Sequence, residues 1–182
     1  MQWRNSADRY GLVSISLHWL VAVTVFGLFG LGYWMVGLDY YSAWYKTAPE
    51  LHKSIGLLLF AVMLGRMLWR RVSPPPQSLP SHGRLTRLGS RLGHAFLYFG
   101  LFVLMVSGYL ISTAEGRGIS VFGLFEVPAT LTGIPRQEDL AGLVHEYLAW
   151  ALVIFAAVHA LAALKHHFID RDATLMRMFG GR

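Results

Sequence analysis

Residues 145–159 read His-Glu-Tyr-Leu-Ala-Trp-Ala-Leu-Val-Ile-Phe-Ala-Ala-Val-His, with two histidines fourteen positions apart in an otherwise mostly apolar run. In a helix, fourteen residues rise about 21 Å and make nearly four turns, so both histidines lie on one face, roughly 40° apart. The apolar run covers residues 141–168, which exceeds the about 20 residues needed to cross a hydrocarbon core. The stretch therefore predicts a transmembrane helix with one histidine at each of two depths.

Three further apolar runs have the same character. Together they predict an all-α integral membrane protein, a four-helix bundle forming one domain over residues 1–182, with spans near 12–36, 50–70, 90–112 and 141–168. The composition agrees, because 54% hydrophobic and 14% charged residues are unusual for a soluble domain. The chain has no cysteine, which excludes disulfides, iron–sulfur clusters and covalently attached c-type haem.

The distribution of charge predicts the orientation. Basic residues gather before the first span, between the second and third, and after the fourth: Arg4, Arg9, Arg70, Arg71, Arg84, Arg87, Arg91, Lys165, Arg171, Arg177 and Arg182. The other two connections carry more acids than bases. By the positive-inside rule, we expect a multi-pass protein of the bacterial inner membrane with both termini in the cytoplasm. The net charge of +6 is thus a topology signal and does not indicate a nucleic-acid partner.

Five histidines lie within the predicted spans or at their edges: His18, His52, His94, His145 and His159. Ionisable residues inside a membrane are costly and usually functional. Because successive helices run in opposite directions, His52 matches His145 in depth near the outer face, and His18 matches His159 near the inner face. Two imidazoles at each level would bind one iron with no open position, so we predict two b-type haems suited to electron transfer.

The fourteen-residue spacing marks three more candidates for haem binding. Gly32 follows His18 by fourteen residues, and Gly108 follows His94 by the same interval. A glycine there would let a macrocycle approach the backbone, although helix packing explains it equally well. Arg66 follows His52 by fourteen residues and could bind a haem propionate as a bidentate donor. Its alternative role is that of a topology charge.

Three other histidines have open roles. His94 could replace His18 as a ligand, but we favour a propionate contact or a packing role. His166 lies on the same helix face as His159 and nearer the cytoplasm. A group that titrates near neutral pH would suit a quinone site there. The alternative is a residue that merely reaches the interface. His82, in the polar connection after the second span, is expected to be solvated.

Motifs in all four spans match one family of membrane proteins: Ser16-Leu17-His18-Trp19-Leu20, His52-Lys53-Ser54-Ile55-Gly56 followed by Arg66, His94 with Leu97-Tyr98 and Ser107-Gly108-Tyr109, His145, His159 to His167, Arg171-Asp172 and Arg177-Met178. On these residues the chain resembles the prokaryotic cytochrome b561 family of di-haem, four-helix membrane proteins. The resemblance implies His18, His52, His145 and His159 as iron ligands. Members of similar length include a superoxide oxidase that passes electrons from periplasmic superoxide to ubiquinone, and other relatives are haem subunits of hydrogenases and formate dehydrogenases.

Two functions follow from these expectations. The first is a free-standing oxidoreductase that oxidises superoxide and reduces ubiquinone. The second is a cytochrome subunit that exchanges electrons between quinone and a periplasmic redox protein. An anionic substrate favours a basic surface, yet only Lys53, beside His52, and Arg117 and Arg136 could supply one on the outer side. Lys53 is therefore the candidate catalytic residue, and membrane lipid and quinone are the expected partners in either case.

Overall fold

Four long helices dominate the computed structural model, which describes residues 2–181. They are α1 (Leu12–Val36), α2 (Thr47–Val72), α3 (Arg84–Thr113) and α4 (Gln137–Phe168). Two short strands, β1 (Ile119–Val121) and β2 (Phe125–Val127), separate α3 from α4, and a 3₁₀ helix, Met176–Phe179, follows α4. The first predicted span has the observed bounds, whereas the other three helices begin up to six residues earlier than predicted.

All four helices are long and apolar enough to cross a membrane, which confirms the four predicted spans. Their 25 to 32 residues correspond to roughly 38–48 Å at 1.5 Å per residue, more than a hydrocarbon core requires. Between 6% and 17% of the residues in their most apolar segments are buried inside the chain. A helix that exposes apolar side chains on all sides is suited to contact with lipid. A helix also satisfies its backbone hydrogen bonds internally, as the bilayer interior requires.

The helix ends follow from local sequence. Pro49 lies in the first turn of α2, where its missing N–H is not needed. Ser73 follows the last residue of α2, and Pro74–Pro76 then prevent the helix from continuing. Acidic residues occupy the first turn of α4 and basic ones the last: Glu138, Asp139, Lys165, His166 and His167. Each set carries the sign of charge that the helix dipole favours at that end.

A small antiparallel hairpin, β1 with β2, was not predicted from the sequence. Its register pairs Ile119 with Val127 and Val121 with Phe125. Phe122 and Gly123 form the turn with φ of 50° and 71°, and the Leu124 N–H donates to the Val121 carbonyl at 2.9 Å. Two successive positive φ values make Val121–Leu124 a tight turn with the twist that antiparallel strands favour, within a loop of three residues between the paired Val121 and Phe125.

The chain divides into two compact units, and every long helix contributes to both. The hairpin unit comprises Val23–Ala61 and Gly100–Val153, and it contains β1 and β2. The terminal unit comprises Val62–Phe99 with the described residues of Met1–Ala22 and Ile154–Arg182. His52 and His145 fall in the hairpin unit, whereas His18, His94 and His159 fall in the terminal unit. One domain over 1–182 stays a prediction.

Serine hydroxyls join loops and helices within each unit. In the hairpin unit, Ser54 Oγ of α2 accepts the Phe122 N–H at 3.1 Å, which holds that residue in its left-handed conformation. In the terminal unit, the Asn5 N–H donates to Ser73 Oγ at 2.9 Å, and Trp69 Nε1 donates to Ser14 Oγ at 3.0 Å. These bonds position the loops that flank the histidines.

Candidate cofactor sites

His52 and His145 face each other in the hairpin unit. Their ring centres lie 6.2 Å apart, with the planes at 68° to each other. Two imidazoles that share one metal ion through bonds of about 2 Å have ring centres about 6 Å apart. The separation therefore fits an iron held between the two side chains.

The backbone of α3 orients His145. Its Nδ1 lies 3.0 Å from the Leu104 carbonyl oxygen and 3.1 Å from Ser107 Oγ, which itself donates to the same carbonyl at 2.8 Å. A carbonyl can only accept, so Nδ1 carries the ring proton and Nε2 keeps its lone pair for a metal. Such outer partners are typical of metal-binding histidines. Sequence reasoning missed this role of Ser107, although the residue lies in one of the matching motifs.

Gly32 and Gly108 each lie against one of these two imidazoles. A β-carbon at Gly32 would lie 3.1 Å from His52 Cε1, and one at Gly108 would lie 3.0 Å from His145 Cε1. Both distances are shorter than ordinary contacts between carbon atoms. The absence of a side chain at the two glycines therefore leaves room for the histidine rings. The predicted contact between these glycines and a haem macrocycle stays a prediction.

His52 differs from His145 in its surroundings. Its Nδ1 is buried and has no hydrogen-bond partner among residues 2–181. A buried polar atom without a partner is costly, and such atoms often mark a functional site. The orphaned nitrogen, the ring separation and the glycine contacts together fit a haem at this level.

The terminal unit holds three of the intramembrane histidines. The ring centres of His94 and His159 lie 5.3 Å apart. His18 Nδ1 lies 3.4 Å from Arg66 Nη2. The structure thus brings all three into the unit where sequence reasoning expected the inner haem, with His94 the nearest aromatic neighbour of His159.

Hydrogen bonds distinguish His18 from His94 as candidate ligands. Nδ1 of His94 lies 2.7 Å from the Ser90 carbonyl oxygen, so it donates there and leaves Nε2 unprotonated. His18 Nδ1 instead faces a guanidinium donor. For Nε2 of His18 to bind iron, Nδ1 must carry the proton and Arg66 must turn its Nη2 away. Both histidines therefore stand as possible partners of His159.

Arg66 fits the predicted contact with a carboxylate. Its Nε donates to the Tyr98 hydroxyl at 2.6 Å, and its Nη1 is buried without a hydrogen-bond partner in the described chain. Tyr98 is shared with Arg70, whose guanidinium carbon lies 5.1 Å from the ring centre. A half-buried guanidinium with a buried, unused donor suits a haem propionate. Tyr98, which sequence reasoning gave no role, holds Arg66 in place.

His166 lies in the last turn of α4 within a polar cluster. Its Nδ1 is 2.9 Å from Asp170 Oδ2 and 3.1 Å from Asp172 Oδ2. His82 packs against it with ring centres 4.9 Å apart, and only 14% of the His82 side chain is exposed. The expectation that His82 is solvated is therefore wrong, because Asp172 pairs with it at 3.1 Å.

Asp172 is the anion of this cluster. Burial alone would raise its pKa, but hydrogen bonds from Thr174 and His82 outweigh that effect and lower the pKa to about 2. The Thr174 N–H donates to Asp172 Oδ1 at 2.8 Å. Asp172 therefore carries a full negative charge at neutral pH.

The three basic residues expected to attract an anion differ in their surroundings. Arg117 lies 3.8 Å from Glu115, and Arg136 lies 3.7 Å from Asp139, all of them largely exposed. Lys53 is half-buried beside His52 and forms no ion pair within residues 2–181. Of the three, Lys53 alone offers a charge that no acid offsets.

Four helices apolar enough to span a membrane, with histidines gathered in each of two units, are typical of a membrane cytochrome. The chain belongs to the prokaryotic cytochrome b561 family, whose family model matches residues 9–181. This confirms the resemblance and the predicted all-α membrane four-helix fold. The family implies haem b, and the imidazole geometry fits it.

Three curated relatives match nearly the whole chain. Cytochrome b561 homolog 2 of Escherichia coli (strain K12) is 55% identical over 180 residues, covering 99% of this chain and 96% of its own length. Cytochrome b561 homolog 1 of the same organism is 28% identical over 179 residues, with 96% and 99% covered. The probable superoxide oxidase CybB of Yersinia pestis is 27% identical over 175 residues, with 93% and 95% covered. The chain is thus a membrane electron-transfer protein.

Proposed function

We propose that the chain carries electrons across the bacterial inner membrane, taking them from periplasmic superoxide and delivering them to ubiquinone. Two superoxide anions each lose one electron and become dioxygen, and ubiquinone takes up those two electrons with two protons. The proposal depends above all on the His52–His145 pair, because its 6.2 Å separation suits an electron-transfer site. The likeness to a relative named a probable superoxide oxidase supports the choice of donor.

Each residue of the two histidine groups has a proposed task. His52 with His145, and His18 with His159, would each hold the iron of one b-type haem. Bound haem would supply a one-electron carrier whose iron has no open position. Arg66 would bind a propionate through its unused Nη1. His94 remains the alternative partner of His159.

The two proposed substrate sites belong to different units. Lys53 would guide superoxide toward the His52 level, because an unpaired cation attracts an anion. His166 would contact ubiquinone at the end of α4, where an imidazole can exchange protons with water. With both termini in the cytoplasm, as the basic residues suggest, the hairpin unit would face the periplasm.

A second function is favoured by the charges of the hairpin unit. Its connections and the adjoining first turns of α2 and α4 carry acids at Asp39, Glu50, Glu115, Glu126 and Glu138, and both of its arginines, Arg117 and Arg136, are paired with acids. An acidic surface suits a basic redox protein better than an anion. The alternative is therefore a quinone-linked cytochrome b subunit that exchanges electrons with a periplasmic partner.

The two functions separate when purified, haem-loaded protein is offered each donor alone. We expect both superoxide and anaerobic ubiquinol to shift the haem spectrum to its reduced form. Rapid reduction by ubiquinol with none by superoxide would reject the superoxide proposal and favour the subunit.

Lys53 provides a sharper test. We expect Lys53→Glu to slow haem reduction by superoxide several-fold and to weaken its dependence on salt, since the attraction is electrostatic. Reduction by ubiquinol should be unchanged. The matched control is Lys46→Glu, which makes the same charge change at an exposed site just before α2. Equal slowing in both variants would show that net charge, rather than Lys53, controls the reaction.

A further inference from the structure

His82, His166 and Asp172 converge in the terminal unit, and none of the three is among the residues proposed to hold a haem. His82 precedes α3, His166 lies in the last turn of α4, and Asp172 follows that helix. One ligand atom from each residue lies within 4.8 Å of the others. Their side chains are 14%, 18% and 10% exposed. Two distant parts of the sequence thus bring two imidazoles and a carboxylate to one point.

The donor set is that of a transition metal ion. Imidazole nitrogen with carboxylate oxygen suits Zn²⁺, whereas Mg²⁺ prefers oxygen alone. Asp172 Oδ2 lies 3.1 Å from His82 Nε2 and 3.1 Å from His166 Nδ1. Ligands on a tetrahedral ion with bonds of about 2 Å lie about 3.3 Å apart. The observed separations are close to that value.

Hydrogen bonding does not account for the position of His166. Its Nδ1 is buried and has two carboxylate oxygens within 3.1 Å, yet neither contact has the alignment of a hydrogen bond. A proton on this nitrogen would therefore point past both acceptors. A metal ion placed between the nitrogen and the oxygens would satisfy all of them.

The hydrogen bonds of Asp172 also suit a metal ligand. The Thr174 N–H occupies its Oδ1 and fixes the carboxylate, which leaves Oδ2 to face both imidazoles. Asp170 Oδ2 lies 2.9 Å from His166 Nδ1 and is already paired with Lys165 at 2.7 Å. Asp170 is thus a weaker fourth donor, and water could take that position.

We propose that His82, His166 and Asp172 form a Zn²⁺ site that joins the segment before α3 to the end of α4. The ion takes Nδ1 of His166, so Nε2 of the same ring stays free for the quinone contact proposed above. The site does not depend on that contact or on the identity of the electron donor.

Zinc binding to the haem-loaded protein tests the site. Protein purified without a polyhistidine tag is stripped with chelator, equilibrated with micromolar free Zn²⁺ and analysed for zinc per chain by elemental mass spectrometry. We expect about one zinc per chain and a higher Tm with zinc. An excess of Mg²⁺ should not displace it. Less than a fifth of one zinc per chain would overturn the proposal and leave a simple His–Asp hydrogen-bonded cluster.

Two variants and one control locate the ion. His82→Ala and Asp172→Asn should each lose at least ten-fold in zinc affinity and show no rise in Tm with zinc; the asparagine retains an acceptor for the Thr174 N–H. His167→Ala removes the neighbouring histidine, which lies outside the cluster, and should bind zinc as the wild type does. The haem spectrum of every variant reports folding. Undiminished binding in Asp172→Asn, or equal loss in His167→Ala, would refute the site.

Discussion

His145 Nδ1 lies 3.0 Å from the carbonyl oxygen of Leu104. This contact joins α4 to the backbone of α3 and determines which ring nitrogen carries the proton. The Nε2 lone pair is consequently free to bind a metal. The hydrogen bond therefore prepares His145 as a ligand before any metal is bound.

Ser107→Ala should weaken this preparation without destroying it. The variant loses the 3.1 Å contact with His145 Nδ1 but keeps the bond to Leu104. Loss of an outer partner typically lowers metal affinity about 10–100-fold, so we expect faster release of one haem to apomyoglobin. Ser112→Ala is the control, since within residues 2–181 the Ser112 hydroxyl bonds only to the Gly108 carbonyl in its own helix. Equal rates of haem release from both variants would show that Ser107 does not support His145 as a ligand.

Replacing His18 and His94 separately decides which of them partners His159. We expect His18→Ala to lose one haem and His94→Ala to keep two, with at most a shifted potential. Haem per chain and the low-temperature α-band spectrum measure the outcome. The reverse pattern would assign the ligand to His94, in line with its 5.3 Å distance from the His159 ring.

Gly108→Ala should disturb the His52–His145 level. Its new β-carbon would lie 3.0 Å from His145 Cε1, and relieving such overpacking costs about 1–3 kcal/mol. We expect a lower Tm and a partial loss of haem, and similar effects from Gly32→Ala. Gly27→Ala is the control in α1, because its β-carbon would meet no atom within 4 Å. A loss of haem in the control equal to that in the other two variants would contradict the proposed role of both glycines.

Reporter fusions test the proposed orientation. A reporter joined after Arg182, which lies outside the described residues, should be active only if it functions in the cytoplasm. A second fusion at the hairpin turn, after Gly123, should show the opposite activity. Activity of a periplasm-only reporter at the C-terminus would invert the assignment of both faces.

The spans could be predicted because they depend on local patterns, whereas the two histidine levels stay a prediction. A run of apolar residues determines a span, and a fourteen-residue spacing places His145 and His159 on one face of α4. The hairpin has strands of only three residues, too short for their alternation to stand out. The sequence nevertheless contained one indication of the turn, the dipeptide Phe122-Gly123 between flanking apolar residues.

Contacts between distant segments could not be predicted in this way. His82 and Asp172 are ninety residues apart, and no local pattern connects a polar linker to the end of the last helix. For the same reason, the pairing of Tyr98 with Arg66, thirty-two residues apart, could not be predicted. Helical periodicity identifies a face but not the residue that another helix presents to it.

The haem content of the purified protein tests the central claim most directly. Two paired-histidine levels require two b-type haems per chain, so pyridine haemochrome analysis with amino-acid quantitation should give a ratio near two. His145→Ala should lower the ratio to about one and leave the second haem bound. A ratio near one in the wild type, or a complete loss of haem in His145→Ala while the protein remains folded, would contradict two independent sites.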